Sequence, residues 1–268
     1  MTGIDNHSMY AIAPSIFAKE PYHDVSDRYR FIPTIDVVNA LRKEGWLPTS
    51  VQQSQTRQEE KVGFTKHLIR FRSESAQFCS DDSLPEIILM NSHDRGSSFT
   101  LMAGIFRLVC TNGMVIQNAD FGKVRIRHSG SDMMHEILES VFMLSEQTPK
   151  MAEAIDQFRA ITLSPGEQGI YAASAAEMRW GLDSETQRVK APFPSQHLLT
   201  CRRHDDQGND LWRVHNRVQE NLMKGGLRGR STSGRRVRTR RISSVSEDIR
   251  INGALWSLTE KMAEIKVA

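Results

Sequence analysis

Residues 64 to 78 read FTKHLIRFRSESAQF, and the alternation in this run decides the fold. Lys66, Leu68, Arg70 and Arg72 fall on one side of an extended chain and His67, Ile69 and Phe71 on the other, because successive side chains of a strand point to opposite faces. The run is read as a strand with a cationic rim. Two apolar runs follow closely, LPEIILMNS (84–92) and SFTLMAGIFRLVCTNG (98–113), the second ending in the turn signal Asn112-Gly113. MVIQNAD (114–120) and KVRIRHS (123–129) supply two shorter strands, the latter alternating Val124 and Ile126 against Lys123, Arg125 and Arg127. Links this short exclude the long crossovers of parallel pairing, so an antiparallel meander is expected.

Helical periods flank the strands. Thr34, as N-cap, precedes IDVVNALRKEG, in which Ile35, Val38 and Leu41 are three apart and Gly45 supplies the stop. Residues 1–34, with Pro14, Pro21 and Pro33, show no sustained period and are read as an irregular arm, and Gln52 to Glu60 is a polar stretch. Downstream, Met134, Ile137, Leu138, Val141 and Phe142 form an apolar stripe, and Pro149 separates that helix from a second piece over 151–161. Alanine-rich 166–180 and the run 209–224 are further helices, the second lined by Leu211, Val214, Val218 and Leu222 and ended by Gly225-Gly226. Ser244 and Glu247 form a capping-box pattern ahead of a final helix carrying Ile251, Leu255, Leu258, Met262 and Trp256.

Segregated strands and helices indicate the α+β class. The expected fold is an antiparallel β-meander of about five strands packed on a long helix, with a mainly helical C-terminal half. Its expected parts are an arm (1–34), a meander-plus-helix core (35–162) and a helical part (163–268) carrying a basic loop at 224–241, packed as a single domain.

The chain has 268 residues, 39% hydrophobic and 25% charged, the composition of a globular protein rather than a disordered or fibrous one. No apolar run approaches the roughly 20 residues of a membrane-spanning helix. The N-terminal run MTGIDNHSMYAIAPSIF has neither a basic start nor an apolar signal core, so a cytoplasmic location with no membrane partner is expected. Cys79, Cys110 and Cys201 are odd in number and scattered, which encodes neither a disulfide framework nor a zinc site; reduced thiols are expected.

Net charge is +3, but it is unevenly placed. Leu222 to Arg241 reads LMKGGLRGRSTSGRRVRTRR, with eight cations (Lys224, Arg228, Arg230, Arg235, Arg236, Arg238, Arg240 and Arg241) and no acid. Taking those eight from the 35 basic residues leaves 27 against 32 acidic ones. Eight like charges repel one another, so an extended, mobile, glycine- and serine-rich loop is expected, ordered only by a polyanion. Seven of the eight are arginine, whose planar fork suits phosphate. The bland alternative is a solvated loop that neutralises the acidic remainder.

Strand-borne cations make a second signal. Lys66, Arg70 and Arg72, then Arg107, then Lys123, Arg125 and Arg127 are expected to form a basic face on the sheet, a track for a nucleic-acid backbone. An ordinary sheet surface paired with acids such as Glu74 and Asp120 would carry the same residues. Phe64, Phe71 and Trp212 are candidates for base stacking, or simply core. The third signal is the polar run Asn91-Ser92-His93-Asp94-Arg95-Gly96-Ser97-Ser98. It reads as a hairpin turn with Gly96 at positive φ, or as a functional turn in which His93 and Asp94 bind metal or exchange protons. There is no G-x-x-x-x-G-K-[ST], G-x-S-x-G, H-E-x-x-H or C-x-x-C, so catalysis is the weaker class and no cofactor is expected.

The runs MNSHDRGSSFTLMAGIFRLVCTNGMVI (90–116), RVHNRVQENLMKGGL (213–227), GRRVRTRRISSV (234–245) and INGALWSLTEKMA (251–263) together resemble the bacterial phage- and plasmid-borne family known as domain of unknown function 932. The likeness runs from about residue 30 onward. It implies a mobile-element setting and carries no chemistry. Asn91, Ser92, His93 and Asp94 match the family pattern, while Arg95 departs from it where a glycine is expected slightly earlier in the turn. A looser architectural similarity is to single-strand annealing recombinases, which implies annealing and a homo-oligomer.

The expected function is therefore non-catalytic nucleic-acid binding, with single-stranded DNA in a basic groove and strand annealing as its outcome. An interaction protein that inhibits a host defence system is the alternative. A metal-dependent nuclease built on His93 and Asp94 comes third.

Overall fold

The computed structural model describes residues 2–22, 31–75, 83–107, 112–115, 123–126, 132–231 and 234–267. Two compact units emerge, one of residues 1–106 and 113–149, the other of 107–112 and 150–268. The α+β expectation is met: a sheet dominates the first unit and helices the second.

The sheet of the first unit has six strands, β1 (Trp46–Gln53), β2 (His67–Ser73), β3 (Ser83–Asn91), β4 (Phe99–Arg107), β5 (Asn112–Val115) and β6 (Lys123–Ile126). The first five neighbour one another in chain order and β6 pairs with β4. The β1–β2, β2–β3 and β4–β6 pairs are antiparallel, with Arg70 opposite Ile88, Thr100 opposite Arg125 and Met102 opposite Lys123. Asn112 and Gly113, expected in a turn, open β5 instead. β1 falls outside the expected meander. Its register slips between Pro48 and Ser50, where proline has no N–H to donate to the ladder.

The expected arm is partly regular: α1 (Asn6–Ile12), capped by the Asp5 carboxylate on the Ser8 N–H, leads into a 3-10 turn (Pro14–Phe17), with Met9 and Ile16 fully buried. α2 (Thr34–Lys43) packs Val37, Val38 and Leu41 inward beside β1, and α3 (Met133–Ser145), N-capped by Asp132, lies against β3 and β6. Cover on β2 to β4 comes from both faces, and those strands are buried almost throughout. This overturns the cationic rim expected on β2.

In the second unit, α4 (Thr148–Ala160), α5 (Pro165–Trp180), α6 (Leu211–Lys224) and α7 (Val245–Val267) follow the expected helices, although α4 had been grouped with the strands. Ser164 and Glu167 close a reciprocal capping box on α5, and Asp210 caps α6 through the Arg213 N–H. α6 is buried nearly all round. Several of its polar groups find partners within the unit: the Arg217 guanidinium donates through Nη1 to the Asp206 and Gly208 carbonyls, and Asn221 to those of Leu198 and Thr200. Among the described residues no helix is long and apolar enough to cross a membrane.

Candidate nucleic-acid interface

The basic stretch is an ordered ribbon, not the mobile loop its charge suggested. β7 (Arg228–Arg230) and β8 (Arg236–Arg238) pair antiparallel, with Arg228 opposite Arg238, Gly229 opposite Val237 and Arg230 opposite Arg236. Directly opposed residues share a face and alternate residues switch face. Arg228, Arg230, Arg236 and Arg238 therefore stand together and are exposed, while Gly229 and Val237 turn the other way and are half-buried. The six residues line an open depression.

An isolated two-stranded ribbon is marginal in water, and this one is held from behind. Gly229 lies so close to the preceding loop that a Cβ there would fall 2.0 Å from the Pro192 carbonyl oxygen. The same carbonyl accepts from the Arg230 N–H at 2.7 Å. At the base, Gly226 N–H donates to Thr239 O and Thr239 N–H to Leu227 O, while the Arg179 guanidinium donates to the carbonyls of Leu222 and Arg240. Arg202 donates to the Asn221 amide oxygen and the Gly225 carbonyl. Backbone anchoring overrides the repulsion that should have kept the stretch extended. Arg179, Arg202 and Gly229 escaped the sequence reading, although the Arg-Gly-Arg and Arg-Val-Arg periods of two were visible.

Among the described residues, no carboxylate pairs with Arg228, Arg230, Arg235, Arg236, Arg238, Arg240 or Arg241, and all seven are exposed. Lys224 differs, since its ammonium donates to Glu220 one turn back at 2.8 Å.

The sheet cations divide differently. Arg70 and Arg72 clamp one carboxylate, Glu86, through Nη1 at 3.1 Å and Nε at 2.8 Å, and the Arg72 guanidinium lies 3.4 Å from the Phe106 ring centroid. Arg107 is buried and donates to Asp206 at 2.7 Å. None of the three presents a charge on an open sheet face, because each is needed against a buried acid. The acid is Glu86, not the Glu74 considered from sequence; Asp120 lies outside the described residues. Lys66 is half-buried just before β2. Lys123 and Arg125 are exposed on β6, where burial and the Arg125 charge together hold the Lys123 ammonium below its usual range. Arg127 lies outside the described residues. Phe71 and Trp212 are core, and Phe64 packs edge-to-face on Tyr22.

The polar turn is built for structure. The Asp94 carboxylate accepts from Gly96 N–H at 2.9 Å and the Ser92 hydroxyl from Ser97 N–H at 2.8 Å. Gly96 does not take positive φ; Arg95 does, at 65°, and a Cβ on Gly96 would meet Asp94 Oδ1 at 2.8 Å. The left-handed conformation costs a non-glycine residue about 1–2 kcal/mol. Arg95→Gly is therefore expected to raise stability by about 0.5–1 kcal/mol, net of glycine's greater unfolded-chain entropy. An unchanged urea midpoint would refute this.

His93 points away from that turn. Its Nε2 lies 3.1 Å from the Thr34 hydroxyl, its ring centroid 4.8 Å from Phe31 and 5.4 Å from His67. Thr34, expected as an N-cap, is the first residue of α2, and its hydroxyl contacts His67 Nε2 at 2.9 Å and accepts from the Asn91 amide at 3.1 Å. Gln53 Nε2 donates to Val62 O, so its oxygen faces Ser15 and takes the Ser15 hydroxyl proton at 2.8 Å. His67 Nδ1 therefore donates to Ser15 Oγ at 2.8 Å and its Nε2 accepts from Thr34, which leaves Thr34 accepting from His93. The contacts form a proton-ordered buried network, and burial holds His67 at a pKa of about 4. His93 and Asp94 thus serve separate structures and do not form an acid–base or metal pair. Among the described residues no three His, Cys, Asp or Glu side chains gather to hold a metal ion. Cys201 is a free, exposed thiol; Cys79 and Cys110 lie outside the described residues.

A family model described as Domain of unknown function (DUF932) matches residues 21–256. Two relatives from Escherichia coli (strain K12), UPF0380 protein YfjQ and UPF0380 protein YafZ, are each 34% identical to this chain over 259 residues, covering 97% of it and 91% of the relative. No solved structure matches. The chain belongs to the DUF932 family.

Proposed function

We propose that this member of the DUF932 family is a non-catalytic nucleic-acid-binding protein that grips the phosphates of a single strand with the arginine ribbon of its second unit. The observation that carries the reading is the pairing of Arg228 with Arg238 and Arg230 with Arg236 on one exposed face, with no carboxylate paired to them among the described residues. Like charges directly opposed destabilise a ribbon. An arrangement that concentrates them on an anchored backbone is explained by an anionic ligand that takes the place of the missing counter-charges. Arginines two apart along a strand are about 6.8 Å from each other, a step that follows successive phosphates of an extended strand. Guanidinium forks donate bidentately to phosphate oxygens.

Held by its backbone, such a strand keeps its base edges free for pairing, which is what an annealing protein requires. Arg235, Arg240 and Arg241 extend the basic surface. Lys123 and Arg125 make a smaller patch on the first unit, and Arg70, Arg72 and Arg107 take no part.

Fluorescence anisotropy with a labelled oligonucleotide tests the reading. Four phosphate contacts on a single strand imply a log–log salt slope of about −3, hence roughly 50-fold weaker binding at 200 than at 50 mM salt. Changing Arg228, Arg230, Arg236 and Arg238 together to Ala should flatten that slope. No binding at 50 mM salt, or a slope unchanged by the four substitutions, would overturn the assignment.

A further inference from the structure

We infer that the bound strand stacks bases on the half-buried Trp180 and the exposed His197, two rings held beside the ribbon by the buried Phe193, which makes the preferred ligand single-stranded nucleic acid with its bases exposed. The inference rests on the nucleic-acid reading of the ribbon and adds to it the half of the ligand that phosphate contacts ignore.

The cluster and the ribbon are one assembly. The loop that buttresses Gly229 is Pro192-Phe193, and a Cβ on Gly229 would sit 3.2 Å from the Phe193 Cβ. His197, exposed, lies parallel to the Phe193 ring at 4° with centroids 5.9 Å apart. Trp180, half-buried, meets the same ring edge-on at 90° and 5.1 Å. The Arg179 guanidinium lies 4.7 Å from the Trp180 centroid while it donates to the Arg240 carbonyl, on the C-terminal leg of the ribbon. One arginine thus ties the indole to the strand that carries Arg236 and Arg238.

Accessible rings, His197 exposed and Trp180 half-buried, beside a row of guanidiniums with no carboxylate partner among the described residues are the two components of single-strand recognition. Cations take the backbone, and rings take base faces without regard to sequence. In a duplex those faces are already stacked on one another, so only an unpaired strand uses both components. Stacking occupies a base's face and leaves its pairing edge open, consistent with annealing. The candidates drawn from sequence, Phe64, Phe71 and Trp212, lie elsewhere, two of them in the core.

The four tryptophans allow a direct test. Trp46, Trp212 and Trp256 are 7%, 2% and 1% exposed, so quenching by a bound base reports on Trp180. Three probes are titrated into the full-length protein at low salt: a thymidine 15-mer, the same length of abasic strand, and a 15-base-pair duplex. The thymidine strand is expected to quench the fluorescence and to bind about tenfold or more tighter than the abasic strand, at about 1–3 kcal/mol per stacked base. The duplex should bind more weakly than the single strand. Trp180→Leu and, for the case that this variant does not fold, the exposed His197→Ala should each reduce the preference for bases while leaving abasic binding and its salt slope in place. Equal affinity for thymidine and abasic strands without quenching, or a duplex bound as tightly as the single strand, sinks the stacking site and leaves the ribbon standing. Failure to bind any of the three sinks the nucleic-acid reading itself.

Discussion

Glu86→Gln is expected to destabilise the first unit by about 3–5 kcal/mol, the range for removing one partner of a buried ion pair. Two guanidiniums, Arg70 and Arg72, share this one carboxylate, and their side chains are 5% and 12% exposed against 0% for Glu86. The triad sits among strands that are buried almost throughout. Glutamine keeps the volume and one acceptor, so the loss isolates the charge. It would strip both guanidiniums of the carboxylate they share, in a setting where breaking a buried pair costs several kcal/mol. Whole-domain stabilities are only about 5–15 kcal/mol, so a large unfolded fraction is expected at ordinary temperature.

The companion change discriminates. Arg72→Met removes the more exposed of the two cations, leaves Arg70 and Glu86 as a one-to-one pair, and replaces the guanidinium on Phe106 with an apolar chain. It should cost less than about 1.5 kcal/mol, as a volume-conserving swap does. Urea unfolding of the two variants reads the contrast, and a Glu86→Gln cost under about 1 kcal/mol would show that the triad is not a buried charge problem. In either variant the folded fraction should bind oligonucleotide as the parent does, because Arg70 and Arg72 belong to the core.

That distinction marks where sequence reading reached its end. The alternation over 64–78 located β2, and the apolar runs located β3 and β4, because a strand's period survives whichever side faces water. Whether the cationic side is solvated depends on what covers the sheet. Only Glu86, on a neighbouring strand, shows that Arg70 and Arg72 point into protein. β1 went unread because Pro48 and two glutamines break its alternation; α1 because seven residues are too few to show a period. The helices of the second unit were legible from their apolar stripes and from Ser244 and Glu247, whereas the Ser164 and Asp210 caps went unread. For the arginine stretch the charge was legible and the conformation was not. Propensity and repulsion both argue for coil, and the contacts that order it come from Pro192, Arg179 and Arg202, distant in sequence. The family resemblance, by contrast, was carried by the run at 90–116 and the runs between 213 and 263, and the family model, which ends at residue 256, covers all but the end of the last. Even Arg95, set apart as a departure from the glycine-bearing pattern, proved to sit at a φ of 65° that suits glycine.

Acid is expected to destabilise both units already above the pH at which most carboxylates protonate, through two histidines buried in the neutral form. In the first unit desolvation holds His67 at about 4, against a small opposing pull from the Thr65 carbonyl. In the second, desolvation and then the nearby positive charge of Arg107 hold His215 at about 3. Each has an unfolded value near 6.5. Between the folded and unfolded values the unfolded chain binds the extra proton, so stability is fully present above about pH 6.5 and falls as the pH drops toward 4 for His67 and toward 3 for His215. The full contributions are about 3 and about 5 kcal/mol, of which about 2 kcal/mol each is lost between pH 7 and 5. Geometry accounts for the penalty. A proton on His67 Nε2 would face the Thr34 hydroxyl proton, and that hydroxyl already accepts from Asn91 and His93. His215 lies parallel to Trp212 at 6°, with Nδ1 2.7 Å from the Thr259 hydroxyl and 3.2 Å from that of Tyr171, so hydroxyls rather than a carboxylate face that nitrogen. Urea midpoints at pH 7 and pH 5, in a window that few carboxylates enter, check the prediction. His67→Gln should remove the pH 7-to-5 loss in the first unit and His215→Gln that in the second, each at some cost at pH 7. A parent protein equally stable at both pH values, or a loss that persists undiminished in the double variant, would place the acid sensitivity elsewhere.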